Sequence, residues 1–342
     1  MVKFVQYGCG KMSKYTMRYA LDIGMELVGA VDINPALIGT EVNGVTIVHP
    51  DEFDKLLKDT KPDVVFVTTR SLLSEVADAL LTCANNGVNA ITTCEEAFYP
   101  HISNPVLTAR IDAAAKAHHC TITGTGYQDA YWGNLIASIA GSSHNIKKIK
   151  GSSSYNVEDY GIALAEAHGA GMTLEEFDQK VAAADKISPE ERRELITRGE
   201  FLPSYMWNVV GWLTEKLAIG LDTVTQQCIP TTHNEDLHSE TLGMDIKAGD
   251  ATGMSAVVTA TTPIGIEIEA ECIGKVYAPG EVDKNEWTIE GDASTTLVIT
   301  QPDTVRLTCA TVVNTVPDVI NGPEGFVPTC RLGDLKYIHN AE

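Results

Sequence analysis

The stretch KFVQYGCGKMS (Lys3–Ser13), with LVGAVD (Leu27–Asp32) after it, constrains the fold more than any other part of the chain. A short apolar run reaches Gly8 and Gly10. The next segment carries Met12, Tyr15, Tyr19 and Ile23 close to helical spacing, and Gly24 closes it. A second apolar run then ends in an acid. Strand, glycine turn, helix, strand and acid, in that order, describe the start of a dinucleotide-binding unit. Gly8 permits the sharp turn. Gly10 removes a side chain where a pyrophosphate must approach the backbone, and the helix behind it aims its N-terminal N–H groups there. Ser13 replaces the usual third glycine; it is small enough for helix–strand packing and has a hydroxyl to offer a phosphate oxygen. Asp32 stands where a carboxylate accepts the ribose hydroxyls, which favours NAD, while Lys11 and Asn34 keep NADP open. Gly8, Gly10, Lys11, Met12, Ser13, Asp32 and Asn34 are the expected cofactor contacts of this turn.

The alternation continues. Pro50–Lys58, Ser74–Ala84 and Asn104–His119 read as helices; Val64–Val67, Ala90–Thr93 and Thr121–Thr123 read as buried strands. Such alternation means a parallel sheet covered on both faces. Thr68, Thr69 and Arg70 end one strand and belong beside a cofactor. The pattern then changes. Asp129–Ile139 looks helical and Ile146–Tyr155 extended. Leu174–Ala184, Glu190–Arg198 and Met206–Ala218 follow as helices, the first with a Thr173/Glu176 capping pair. From Ser255 the chain alternates with period two, clearest in IGIEIEAEC (Ile264–Cys272), then Glu286–Ile289 and Thr295–Ile299, before Thr304–Val316 turns helical again. The expected fold is an α/β Rossmann unit (1–135) followed by an α+β unit (136–303) with a largely antiparallel sheet.

Bulk properties exclude several partners. The 342 residues carry 25 Lys+Arg against 46 Asp+Glu, a net charge of −21, which repels nucleic acid and anionic membranes. No run approaches the roughly 18 apolar residues of a membrane span, and MVKFVQYGCG lacks a signal-peptide core. Eight cysteines form no C-x-x-C pair; they read as reduced thiols of a cytoplasmic protein without a metal centre.

Chemistry concentrates in TTCEEAFYP (Thr92–Pro100). Thr93 and Cys94 close the Ala90 strand at the edge where open α/β sheets bind ligands, and Glu95 and Glu96 stand next to them. Reduction of C=O wants a proton donor or cation beside the oxygen. A bare carboxylate repels a developing alkoxide and attracts an ammonium or iminium instead. The acid pair therefore favours C–N over C–O redox, with one of the two facing the crevice. Trp132, in GTGYQDAYWGN (Gly124–Asn134), and Tyr155 and Tyr160 are candidate walls of an apolar substrate pocket. His168 is either a pocket residue or part of a Gly-rich turn.

With these motifs and VVNTVPDVINGPEG (Val312–Gly325) in view, nearly the whole chain resembles the native amine dehydrogenases related to 2,4-diaminopentanoate dehydrogenase, within the group shaped like dihydrodipicolinate reductase. The resemblance implies reversible reductive amination of a small ketone or aldehyde with ammonia and NAD(P)H. It implies a homodimer and one key glutamate, Glu95 or Glu96. It also implies a C-terminal segment (304–342) that returns to the Rossmann unit and brings Asn314 and Pro317 near the nicotinamide. Dihydrodipicolinate reductase itself fits poorly, because the second half lacks the paired guanidinium groups a dicarboxylate wants. Two alternatives stay open. One is action on 2,4-diaminopentanoate, with Arg70, Lys148 or Lys150 holding the carboxylate. The other is a non-catalytic NAD(P)-binding sensor or scaffold, with both glutamates in solvent.

Overall fold

Parallel pairing of five strands sets the frame of the first half. The computed structural model describes residues 1–339; residues 340–342 of the expected C-terminal segment lie outside them. By internal contact the chain divides into two units. The first takes Met1–Leu135, Ile196–Phe201 and the chain from Asp303 onward; the second takes Ile136–Leu195 and Leu202–Pro302.

Along the first unit run β1 (Lys3–Tyr7), α1 (Ser13–Asp22), β2 (Glu26–Val31), β3 (Glu41–Val42), β4 (Val45–Val48), α2 (Phe53–Thr60), β5 (Val64–Val67), α3 (Leu73–Asn85), β6 (Asn89–Thr92), α4 (Pro105–Ala117) and β7 (Thr121–Gly124). Strands β2, β1, β5, β6 and β7 lie side by side and parallel. Val64, Val65, Phe66 and Val67 are fully buried, as a strand covered on both faces requires. α3 buries Leu73, Val76, Leu80, Cys83 and Ala84 on one face of this sheet.

The second unit begins with α5 (Leu135–Gly141), into which a π-helical turn, Asp129–Asn134, runs directly, so the single helix expected there is split. It continues through β8 (Lys148–Asn156), α6 (Ile162–Ala167), α7 (Leu174–Lys180), α8 (Pro189–Arg198), α9 (Tyr205–Lys216), β9 (Thr223–Thr232), β10 (Leu237–Ser239), β11 (Met244–Ile246), β12 (Ala251–Thr261), β13 (Glu267–Lys275), β14 (Lys284–Glu290) and β15 (Thr295–Thr300). Six strands form one sheet in the order β15-β14-β8-β13-β12-β9, antiparallel except for β8 against β13. The Thr173/Glu176 capping pair forms at the start of α7, with Glu176 N donating to Thr173 Oγ1 at 3.2 Å.

One expected strand starts late. Thr262 to Gly265 is a turn, with Gly265 in the left-handed region (φ 82°) and Ile266 N donating to Thr262 Oγ1 at 2.9 Å. Ile264, expected on the buried face, is 65% exposed on that turn. From Ile266 on, Ile268, Ala270 and Cys272 point inward as their alternation predicts. Strand β9 and the β10–β11 hairpin escape the sequence reading altogether.

The chain then returns. α10 (Thr304–Ile320), capped by Asp303, and β16 (Gly325–Phe326) complete the first unit. Val312, Val313, Val316 and Val319 of α10 pack on Phe4, Met17, Phe66 and Ile91. Full burial of such side chains is worth about 1.5–3 kcal/mol each. β16 pairs in parallel with β7.

Candidate active site at the carboxyl edge of the sheet

Register fixes one row of residues across the first sheet: Val31, Tyr7, Val67, Thr92 and Gly124 are successive partners on β2, β1, β5, β6 and β7. Each strand stops there, so Asp32, Gly8, Thr68, Thr93 and Thr125 come next along one edge. Backbone bonds continue across it: Gly8 N to Val31 O at 2.8 Å, Thr68 N to Tyr7 O at 2.9 Å, Thr93 N to Val67 O at 3.1 Å and Thr125 N to Thr92 O at 3.0 Å. From β2 to β6 is three inter-strand steps, about 14 Å.

At the β1 end, Gly8 has φ 94°, and a Cβ there would lie 2.6 Å from Thr69 Cγ2 and 2.9 Å from Thr68 O. A Cβ on Gly10 would meet nothing within 4 Å. The one glycine is needed by the fold and the other leaves open space beside the start of α1, which has no acidic side chain in its first turn. This is a cradle that fits a pyrophosphate. The Asp32 carboxylate organises the turn, accepting Cys9 N at 2.6 Å and Asn34 N at 2.7 Å. Lys11 and Asn34 are exposed. Met12 caps α1, and its carbonyl accepts Tyr15 N, Thr16 N and, from α10, Cys309 Sγ at 3.4 Å. Ser13 is buried and donates to Gly10 O at 2.8 Å, so its proton serves the turn and not a phosphate.

Two residues escape the sequence reading, and the first of them holds this turn. Buried Gln6 donates to Gly8 O at 3.0 Å and to Thr68 Oγ1 at 2.8 Å, and accepts Thr16 Oγ1 at 2.7 Å. Thr308 of α10 accepts Tyr127 N at 3.1 Å. A polar Gln in the middle of an otherwise apolar strand was the available signal for the first.

At the β6 end the acid pair separates. Glu96 is 4% exposed; its carboxylate accepts Leu73 N at 2.7 Å and the Ser103 hydroxyl at 2.8 Å. Burial raises its pKa, the Leu73 and Ser103 bonds opposing. Glu95 is half-buried. Burial raises its pKa too, with Ser71 and its own backbone N–H opposing; no cation is among the described groups acting on it. Cys94 is buried, its thiol pushed well up by burial first and by Glu95 second. Thr93 is half-buried, Thr69 and Arg70 exposed.

The row does not gather every expected contact. Asn314 and Pro317 lie farther along α10, about 12 Å of helix separating Cys309 from Pro317; Pro317 is exposed, and Asn314 accepts Ile338 N at 3.2 Å. Helix α10 reaches the turn through Cys309 instead. Trp132 is buried on the π-helical turn, edge-on to Tyr127 at 5.6 Å. In the second unit Tyr155, Tyr160 and His168 do assemble. Tyr155 meets Tyr160 edge-on at 5.6 Å, and its hydroxyl lies 2.7 Å from His168 Nε2. His168 Nδ1 lies 2.8 Å from Leu164 O, which fixes the proton on Nδ1 and makes Tyr155 the donor to Nε2. Burial lowers the His168 pKa.

No family model matches the chain. Among curated proteins, 2,4-diaminopentanoate dehydrogenase of Acetoanaerobium sticklandii is 23% identical over 93% of this chain and 91% of its own length. A probable dehydrogenase of Thermotoga maritima shares the fold, with 12% identity, 96% and 92% coverage and a TM-score of 0.61. The amine dehydrogenase of Mycobacterium smegmatis is 34% identical, covers 99% of this chain and 98% of its own, and superposes with a TM-score of 0.84. The chain thus belongs to the amine dehydrogenase family, NAD(P)-dependent oxidoreductases that join a Rossmann unit to a unit with a largely antiparallel sheet.

Proposed function

We propose that this protein is an amine dehydrogenase in its own right, interconverting a small ketone or aldehyde plus ammonia with a primary amine, and that Glu95 is its acid–base group. The observation that carries the reading is a half-buried carboxylate, uncompensated by any cation among the described residues, at the carboxyl end of β6. Gly8, Gly10 and the start of α1 would hold the pyrophosphate, Asp32 the adenosine ribose, and Thr93 the region of the nicotinamide. The bound dinucleotide accepts or returns the hydride. Glu95 attracts the cationic nitrogen and takes a proton from the substrate ammonium, which frees the nitrogen lone pair as the C–H hydride leaves. Water then adds to the iminium carbon, and ammonia departs to leave the carbonyl. A carboxyl whose pKa is raised is suited to such proton transfers near neutral pH. Trp132 contributes substrate contacts, and the protein works as a homodimer.

The test is NAD(P)H oxidation with small carbonyl compounds at high ammonium. Glu95→Gln should abolish turnover while leaving cofactor affinity in place; full turnover in that variant would end the assignment. A single-chain mass in solution would remove the dimer. The sensor alternative expects both glutamates in solvent; Glu96 is buried and Glu95 half-buried.

The curated relative favours a second reading of the substrate, 2,4-diaminopentanoate. Its carboxylate needs a cation. Lys148 and Lys150 are both held by Glu269, at 2.7 and 2.8 Å, whereas Arg70 is exposed and has no ion pair among the described residues. Comparing kcat/KM for this diamine and a simple alkylamine, in the wild type and in Arg70→Ala, separates the two substrates.

A further inference from the structure

One peptide group of the glycine turn is held from both ends. The Gly8 carbonyl accepts Gln6 Nε2 at 3.0 Å and the Thr68 hydroxyl at 3.2 Å. The N–H on the other side of that peptide, from Cys9, donates to the Asp32 carboxylate at 2.6 Å. The Gly8 oxygen is therefore turned inward, against a Gln side chain with no solvent exposure. Gln6 is placed in turn by its neighbours. Its amide nitrogen also donates to Thr68 Oγ1 at 2.8 Å, just past β5, and its amide oxygen accepts Thr16 Oγ1 of α1 at 2.7 Å. A hydroxyl donor on the oxygen and two acceptors on the nitrogen define one orientation of the amide.

We propose that Gln6 is a positioning residue for the dinucleotide: with Thr68 it holds the Gly8–Cys9 peptide carbonyl-inward and keeps that oxygen from the pyrophosphate. This rests on the reading of Gly8, Gly10 and the start of α1 as the phosphate cradle. Gly8 sits at φ 94°, and glycine moves between backbone regions at little cost, so its own geometry does not fix the peptide that follows. A carbonyl turned outward would set partial negative charge beside an anion, where the cradle depends on N–H groups. Gln6 acts through that peptide. The Thr68 hydroxyl gives its proton to the same oxygen, so the part Thr68 plays in cofactor binding runs the same way.

The experiment is fluorescence titration with NADH and NADPH, well below the melting temperature, on Gln6→Met, Thr68→Val, Thr68→Ser and Gly10→Ala, with thermal unfolding of each alongside. Gln6→Met nearly keeps the side-chain volume and removes its bonds to Gly8, Thr68 and Thr16. It should raise the dissociation constant of the preferred cofactor about tenfold, the size of a lost hydrogen bond or two. Thr68→Val should raise it by about threefold or more, and Thr68→Ser should restore it. The double variant should lose less than the product of the two single losses, because both side chains act on one oxygen. A merely structural Gln6 predicts a lower melting temperature with unchanged affinity, and that result in Gln6→Met overturns the proposal. Gly10→Ala separates the two readings. Unchanged affinity there overturns the cradle and the role of Gln6 with it. Weakened binding in Gly10→Ala, with wild-type affinity in Gln6→Met and Thr68→Val, overturns the role of Gln6 alone. If Gln6→Met does not fold, the Thr68 pair decides: a weak Val variant and a restored Ser variant support the role, and wild-type affinity in the Val variant overturns it.

Discussion

The Glu96 carboxylate accepts the backbone N–H of Leu73 at 2.7 Å, so an acid from one loop satisfies the first residue of α3. Its second oxygen takes the Ser103 hydroxyl at 2.8 Å. Glu96→Ala should strand both donors and cost about 2–3 kcal/mol in denaturant unfolding, while Glu96→Gln, which keeps an acceptor, should cost less. Burial raises this carboxyl above the ordinary 4.5. The stability it contributes is therefore present below pH 4.5 and is lost as pH rises through the raised value. Glu96→Gln should flatten unfolding free energy across that window; an unchanged slope would count against the assignment.

Gly8 and Gly10 should respond oppositely to the same substitution. Gly8→Ala forces an L side chain to φ 94° and places a Cβ 2.9 Å from Thr68 O, so it should destabilise the first unit by about 1–3 kcal/mol. Gly10→Ala meets open space, so its melting temperature should match the wild type while its dissociation constant for NAD(P)H rises at least about tenfold, in line with a lost phosphate approach. Calorimetry on both variants is the check.

Asp32→Ala should weaken NAD more than NADP. The carboxylate now holds Cys9 N and Asn34 N, and its charge repels a 2′-phosphate. The expected outcome is a fall of about tenfold or more in kcat/KM for NAD, with NADP changed less. Equal losses for the two cofactors would place Asp32 in turn formation alone.

The pair Tyr155–His168 depends on a glycine of the neighbouring strand β13, the register partner of Tyr155. A Cβ on Gly274 would lie 2.6 Å from His168 Nε2 and 2.8 Å from Tyr155 Cζ. Gly274→Ala should break the bond between them and destabilise the second unit by about 1–3 kcal/mol. Because burial lowers the His168 pKa, the stability this histidine contributes is present above its ordinary value near 6.5 and is lost as pH falls through the lowered one. Ring-proton NMR should follow that pKa rising toward 6.5 in the variant.

The dinucleotide turn is legible because all its determinants are local. Strand, Gly8, Gly10, helix and Asp32 follow one another, and periodicity alone reveals them. The grouping of Tyr155, Tyr160 and His168 is likewise a matter of one neighbourhood of sequence. What is not legible depends on distant partners. Glu95 and Glu96 are indistinguishable until Leu73 and Ser103 arrive to claim one of them. The cations Lys148 and Lys150 look available until β13 pairs with β8 and brings Glu269 between them. Strand β9 hides because TVTQQCIPTT lies half-exposed, with Pro230 inside it and no clean apolar face. Asn314 and Pro317 lie beyond the first two turns of α10, which begins at the edge, and no local pattern of sequence shows that placement.

The return of α10 also bears on how the protein is made. Phe4, Met17, Phe66 and Ile91 leave the ribosome well before the valines that cover them, which lie at 312–319. Between the two the growing polypeptide carries an apolar sheet face awaiting its lid, and folding of the nucleotide unit waits for the return of α10. A nascent chain stalled before Thr304 should engage chaperones, and one extended past Phe326 should let them go.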